Sequence, residues 1–426
     1  MNPVYNLGIE LYSLGARVIA TRNPKARKML AGQGETFARL RDSLATDAPA
    51  SSDGWIWIHA ASLGEFEQGR PLIERLRRDR PDCRILLTFF SPSGYEVRKG
   101  YDKVDLVCYL PFDTPSRVSR FLDLVNPRMV VFVKYEFWGN YLEQLHARGI
   151  PVYLISSIFR ERQPFFKWWG GVFRKMLTCF THIYVQDDHS RELLSGIGVD
   201  NVSVVGDTRL DRVTDIMKNA TPIAALETFV GDGGEPVLIV GSSWEADEDV
   251  YMPWLRSHPG VRSVIAPHEF DAVRLERLLG RLGDNAMLLS RYESLCADDA
   301  TRGSVGGVRH LVVDSFGKLS SLYRYGTVAY VGGGFGVGIH NINEAAVYGI
   351  PVVFGPNHSK FKEAADLISC KGAVSVNNTS ELEKTLDAWL GDSVALKEAG
   401  DAAGEYISRN TGATDRIYTD LFTPRR

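Results

Sequence analysis

The sequence is short of several things, and each shortage removes a class of function. No uncharged apolar run of roughly 18 residues occurs, so no ordinary membrane-spanning helix is expected. The start also lacks a basic opening followed by a clean apolar stretch and a cleavage site, so no secretory leader is expected. Cysteine is scarce and scattered: Cys83, Cys108, Cys179, Cys296 and Cys370 form no CxxC pair and no Cys/His cluster. That spacing argues against a disulfide framework or a zinc site, and for reduced cysteines in a core. Excess charge is missing too, since 49 Lys and Arg meet 52 acids for a net −3. Such a balance lacks the basic field of nucleic-acid binders. Repeats and low-complexity tracts are likewise absent.

What is present is ordinary globular material, 44% hydrophobic and 24% charged over 426 residues. A chain of that length suits two cores of about 150–200 residues each. From Trp55 onward, short β-branched runs alternate with longer amphipathic stretches. The strand candidates are 55–58, 84–88, 106–109, 129–133, 152–155 and 182–185, then 237–240, 262–266, 287–289, 310–313, 328–331 and 351–354. This rhythm predicts an α/β protein with two Rossmann-like domains. We expect an N-terminal helical segment over 1–45, a linker over 46–54, a first domain over 55–205, a second over 206–400 and a C-terminal helical piece over 401–426. In the first segment, the apolar stretch Val4 to Ala20 runs into Arg22, Lys25, Arg27 and Lys28. It reads equally as a helix packed on the first domain and as one lying in a membrane interface.

Ligands of open parallel sheets sit at the carboxyl ends of strands, so each strand exit is a candidate for chemistry. The first exit is His59-Ala-Ala-Ser-Leu-Gly-Glu65, where Glu65 stands beside a helix start. A carboxylate there can act as general base towards a hydroxyl or simply complement the helix dipole. Strand 129–133 exits into Lys134-Tyr-Glu136-Phe-Trp138-Gly-Asn140, a dense mix of charge and rings. After the next strand comes Pro164-Phe-Phe-Lys-Trp-Trp-Gly170, whose Lys167, with Arg174 and Lys175, suits phosphates while its rings suit acyl chains. A buried helix with a basic face is the plainer alternative.

In the second half, Ser242-Ser243-Trp244 forms a polar turn able to offer donors to phosphate. Pro267-His268 and Asp314-Ser-Phe316-Gly317-Lys318 end two further strands. The densest segment is Tyr330-Val-Gly-Gly-Gly-Phe-Gly-Val-Gly338-Ile-His340-Asn-Ile-Asn-Glu344. Its glycines predict close backbone approach to a ligand, and Glu344 suits ribose hydroxyls. A dinucleotide site is the rival, but it expects its glycine loop after the first strand of the fold.

Taken in order, His59 to Glu65, Glu136 to Asn140, Gly206 to Asp211, Gly241 to Trp244, Ala266 to His268, Asp314 to Gly317 and His340 to Glu344 resemble the motifs of the Kdo (3-deoxy-D-manno-octulosonic acid) transferases of lipid A assembly. The resemblance spans about Trp55 to Val374. It implies the glycosyltransferase B architecture with an active-site cleft between two domains, and transfer of Kdo from CMP-Kdo to a lipid A precursor of the lipid IVA type. It further implies Glu65 as catalytic base, with Glu136 and Arg209 supporting charge in the transition state. Ser242, Ser243, Pro267, His268, Phe316, Gly317, Lys318, Asn341, Ile342, Asn343 and Glu344 would hold the CMP part. No metal and no cofactor beyond the donor substrate are implied, and the expected place is the cytoplasmic face of the inner membrane. Lys134, Gly139 and the run Ile342-Asn-Glu-Ala345 depart from the family pattern. The alternatives are a two-Rossmann transferase or epimerase using a UDP-sugar, and a non-catalytic binding module recruited to membranes.

Overall fold

The computed structural model describes residues 3–46, 54–298 and 301–423. Most of the linker expected over 46–54 lies outside them. The chain forms two compact units, residues 1–211 with 412–426, and residues 212–411. The division falls inside the helix Thr208–Asn219. The piece expected over 401–426 is split: the helix Ser393–Asn410 belongs to the second unit and Ala413–Phe422 to the first.

The first unit carries β1 (Trp55–His59), β2 (Ile85–Phe89), β3 (Leu106–Tyr109), β4 (Pro127–Val133), β5 (Val152–Ser157), β6 (His182–Val185) and β7 (Val202–Val204). They form one parallel sheet in the order β3-β2-β1-β4-β5-β6-β7. Strands covered on both faces read as continuous apolar runs, and β1 and β2 are buried at every residue. Alternate side chains feed opposite faces. Ile56, Ile58, Ile85, Leu87, Val131 and Val133 enter one core, while Trp55, Trp57, Leu86, Val130 and Phe132 enter the other.

The second unit carries β8 (Val237–Ser243), β9 (Arg262–Pro267), β10 (Ala286–Leu288), β11 (His310–Val312), β12 (Val328–Val331), β13 (Val352–Phe354) and β14 (Ala373–Ser375). Its parallel order is β10-β11-β9-β8-β12-β13-β14. Edge strands β7 and β14, three residues each, are absent from the strand candidates of the sequence.

These orders locate the chemistry. In each sheet the chain departs in opposite directions from one pair of neighbours, β1 and β4 in the first and β8 and β12 in the second, although in the second it reaches the edge at β10 before returning to β11. At such a switch point the following loops diverge and leave a crevice at the carboxyl ends of the strands. The loops concerned hold Glu65 and Glu136 in one unit, and Ser242 and the glycine-rich segment in the other.

Candidate active site

In the first unit, β1 ends at His59 and a short turn leads to Ser62, which starts the helix Leu63–Asp79. The Ser62 amide and hydroxyl both donate to Glu65 Oε2, at 2.9 and 3.1 Å. The carboxylate therefore closes its own helix start, as the plainer sequence reading expected, and is also placed at the switch point. Gly69 favours this placement: a Cβ there would lie 2.9 Å from Val133 Cγ2 of β4, so a side chain would force one of the two to shift. Burial pushes the Glu65 carboxyl above the usual range, and the nearby charge of Glu136 pushes the same way, against the Ser62 hydrogen bonds and His59. A carboxylate raised in this way holds a proton better, which is what a general base requires.

Glu136 is almost fully buried, at 5% exposure. Its Oε2 accepts from His59 Nε2 at 3.0 Å and from the Trp138 indole at 2.5 Å. Behind it, His59 Nδ1 lies 2.8 Å from Thr88 Oγ1, which also accepts from the Trp57 indole at 2.8 Å. The same Nδ1 lies 3.1 Å from the Thr88 carbonyl, so both ring nitrogens are engaged. Two strands, β1 and β2, thus fix the second carboxylate through a histidine that the sequence offered only as part of a strand exit.

The loop carrying Glu136 is held by a further buried acid. Asp113, with no exposed surface, accepts from the Asn140 and Tyr141 amides at 3.0 and 2.9 Å and from the Tyr5 hydroxyl at 2.6 Å. The Gly139 amide in turn donates to the Tyr5 oxygen at 2.9 Å. Burial pushes the Asp113 carboxyl up to about 6, opposed by the three hydrogen bonds. Through Tyr5, the first helix, Pro3–Ala20, is tied to the residues next to Glu136. Phe137 packs on Phe165 at 4.7 Å, so the aromatic run read from the sequence divides: Phe165 is core, while Trp168 is 92% exposed.

Arg209 lies at the start of the helix Thr208–Asn219, its guanidinium on the Asp207 carboxylate at 2.9 and 2.6 Å. Thr208 anchors that start. Its hydroxyl donates to the Gln68 carbonyl of the Glu65 helix at 2.6 Å and lies 2.8 Å from Ser156 Oγ at the end of β5.

In the second unit, Asp247 organises the switch point. Fully buried, it accepts from the Trp244 amide at 3.0 Å, the Gly333 amide at 2.8 Å and the Tyr330 hydroxyl at 3.0 Å, joining the β8 exit to the glycine-rich loop. The sequence reading assigned those glycines to a ligand, and for part of the loop the structure gives a different reason. A Cβ on Gly334 would stand 2.6 Å from Gly355 Cα, and one on Gly332 would strike the Ser242 carbonyl. Gly333 has φ +91°, the left-handed region. Their neighbours are the protein's own loops.

Ser242, at φ +52°, turns the chain, while the Ser243 hydroxyl points inward to Tyr251 at 2.9 Å. Trp244 stacks on His268 at 4.4 Å, and His268 meets His340 at 4.5 Å. The Trp244 indole donates to His340 Nε2 at 3.1 Å, which places the His340 proton on Nδ1. Burial, then the nearby His268, make His340 harder to protonate. Glu344 accepts from Asn341 Nδ2 at 3.0 Å and Ser320 Oγ at 2.5 Å. Ile342 and Asn343 are buried, and the Asn343 amide atoms lack hydrogen-bond partners among the described residues. Pro267 closes β9 in the interior, Phe316 stands 86% exposed against Phe270, and Gly317 has φ +82°. Lys318 pairs with Glu293 at 2.6 Å. No group of three or more His, Cys, Asp or Glu suited to a metal ion occurs among the described residues.

Comparison with known proteins shows what the chain as a whole is similar to. Residues 31–212 match the family described as 3-deoxy-D-manno-octulosonic-acid transferase (kdotransferase). Relatives of that name include those of Haemophilus influenzae, 26% identical over 87% of this chain and 86% of the relative, and Bordetella pertussis, 27% identical over 92% of each. Among solved structures, the UDP-GlcNAc 2-epimerase of Neisseria meningitidis bound to UDP-GlcNAc superposes with a TM-score of 0.58 at 16% identity, over 87% of this chain and all of that one. MurG of Acinetobacter baumannii gives 0.54 at 12% identity, over 86% and 99%. At these identities the solved structures establish the fold, the two-Rossmann glycosyltransferase B type.

Proposed function

We propose that the chain is a glycosyltransferase of the Kdo transferase kind, which transfers Kdo from CMP-Kdo to a hydroxyl of a lipid A precursor of the lipid IVA type, releasing CMP. The observation that carries the mechanism is the pairing at the first switch point. Glu65 is raised by burial and by Glu136, while Glu136 is fixed as an anion acceptor by His59 and Trp138.

Glu65 takes the proton of the attacking hydroxyl as that oxygen forms its bond to the anomeric carbon of Kdo. The bond from that carbon to the CMP phosphate oxygen breaks, and its electron pair leaves with the phosphate. Glu136 keeps the local field negative and Glu65 basic, and Arg209 favours the anionic leaving group. The sugar nucleotide belongs to the second unit, where the amide-rich turn after Ser242, the His268 and His340 rings and the Glu344 carboxylate supply donors, a stacking surface and an acceptor. Catalysis is positioning and electrostatics, with no step assigned to a metal.

Replacing Glu65 with Gln keeps the Ser62 contacts in shape and removes the base. Transfer, followed by mass of the product, should fall by about 10²–10⁴-fold while CMP still raises the melting temperature. An active Glu65→Gln enzyme refutes the assignment. CMP should stabilise the protein more than UDP does, and the reverse order would favour a UDP-sugar donor.

The reading includes work at the cytoplasmic face of the inner membrane. The first helix packs through Ser13, Ala16 and Ala20 and leaves Val4, Leu7, Leu11, Leu14 and Val18 exposed, above a basic cluster at Arg22 to Lys28. No helix among the described residues is long and apolar enough to cross a membrane, so an interfacial helix is the form proposed. Changing Leu7, Leu11 and Val18 together to Gln should abolish flotation with anionic vesicles. Unchanged flotation removes this part of the proposal.

A further inference from the structure

The first unit contains a cavity of about 550 Å³ that the transfer reading does not use, lined by Arg17, Leu30, Gln33, Phe37, Pro111, Phe112, Ser116, Arg117 and Arg120 among others. It lies among the first helix, the second helix Pro24–Thr46 and the start of the helix Pro115–Val125. Three guanidinium groups meet here, and no carboxylate pairs with Arg17, Arg117 or Arg120 among the described residues. Glu35, on the same helix as Gln33, is occupied by Arg39 at 3.2 Å. Aromatic walls hold two of the cations: Arg120 lies over the Phe37 ring at 4.3 Å and Arg117 over Phe112 at 5.8 Å.

The helix Pro115–Val125 starts at this cavity with its first turn open. Its cap residue Thr114 makes no side-chain cap, Pro115 has no N–H, and the Ser116 and Arg117 amides have no partner among the described residues. Such a turn favours an anion. Independently, Gln33 is only 7% exposed, and neither its amide nitrogen nor its amide oxygen has a partner. A buried amide in that state lacks hydrogen bonding that a ligand can supply. Its position is fixed by its neighbours. Gly32 lets the helix lie against Tyr109, and the Thr36 hydroxyl donates to the Tyr109 carbonyl at 2.9 Å.

We infer that this cavity is a binding site for a phosphate ester carried on an apolar body, the phosphate held by Arg117, Arg120, Arg17 and the open helix turn, Gln33 completing the polar end, and Leu30, Phe37, Pro111 and Phe112 taking the apolar part. The chemistry is shared by an anionic phospholipid headgroup and by free phosphate. The inference stands apart from the transfer reaction and is tested by binding alone.

The full-length protein is titrated calorimetrically with dihexanoyl phosphatidate below its micelle concentration, with dihexanoyl phosphatidylcholine and with inorganic phosphate. The expected result is saturable binding of the phosphatidate, weakened on the order of tenfold by Arg120→Gln and again by Arg117→Gln, since each removes a charge-assisted contact. Arg120 is exposed, so its variant tests the site without a folding penalty. Gln33→Glu keeps the size and places a like charge beside the phosphate, and it too should lose binding. Phosphatidate bound well above inorganic phosphate identifies the lipid source, and equal affinity identifies phosphate itself. Absence of saturable binding of both, equal binding of the phosphatidylcholine, or affinity unchanged in all three variants overturns the proposal.

Discussion

The Tyr5 hydroxyl is a small group with two duties, and its removal in Tyr5→Phe gives a sharp test of how the site is supported. It donates to Asp113 Oδ2 at 2.6 Å and accepts from the Gly139 amide at 2.9 Å. Phenylalanine keeps the ring and its packing but withdraws both contacts. The bond to a buried carboxylate is worth about 1.5–3 kcal/mol, and the stranded Gly139 amide costs a further 1 kcal/mol or so where water can partly reach it. A loss of about 3 kcal/mol in the first unit follows, equivalent to roughly 6–12 °C in its melting temperature for a unit of this size. Scanning calorimetry of the full chain, on Tyr5→Phe, Asp113→Asn and the double variant, provides the measurement. The two single losses should sum to more than the double loss by at least about 1 kcal/mol, because both act on one network. Transfer should weaken as well, since Gly139 lies three residues from Glu136. A Tyr5→Phe protein melting within about 2 °C of the parent would show that the first helix does not brace the Glu136 loop.

Asp113 also sets a pH dependence. Burial puts its folded pKa at about 6 against an ordinary 3.8, so between these values the folded protein holds a proton that the unfolded chain has released. Stability from this group is therefore greatest below about pH 4 and declines as pH rises to about 6, by roughly 3 kcal/mol, and urea midpoints across that range should show the fall, with Asp113→Asn flattening it. In the second unit, Gly334→Ala forces a methyl to within 2.6 Å of Gly355 Cα, which is backbone and cannot swing aside. A loss of about 1–3 kcal/mol in that unit and a smaller rise in melting temperature with CMP should follow, and an unperturbed variant would show that the two loops can part freely.

The parallel sheets were legible because strands buried on both faces write themselves as apolar runs, as in Trp55 to Ile58 and Met129 to Val133. Glu65 and Glu136 were legible for a related reason: a charge immediately after such a run stands at a strand exit. Their supports were not. Asp113 follows Leu110-Pro-Phe with no pattern to mark it, and its partners lie 27 and 108 residues away. His59 was visible, but its tie to Glu136 spans 77 residues and depends on β1 and β4 being neighbours, which only the sheet order supplies. The glycine-rich loop was visible, but the packing around it was not. Sequence shows that a side chain is unwelcome at Gly332 and Gly334, whereas the obstacle there, the protein's own backbone, needed the fold.

The return of residues 412–422 to the first unit bears on the order in which a ribosome can deliver a finished fold. Asp211, the last residue before the chain enters the second unit, accepts from the amides of Gly412 and Thr414, the first residues after it leaves. Ala413, Ile417, Tyr418 and Phe422 then fill the same core as Ile56 and Val131. Emerging first, the 1–211 portion must wait with that core unfilled while some 200 intervening residues are made, and the second unit can close before it. A released chain ending at Thr411 should therefore hold a folded second unit and a first one still open to protease, so that the portion synthesised earliest matures last.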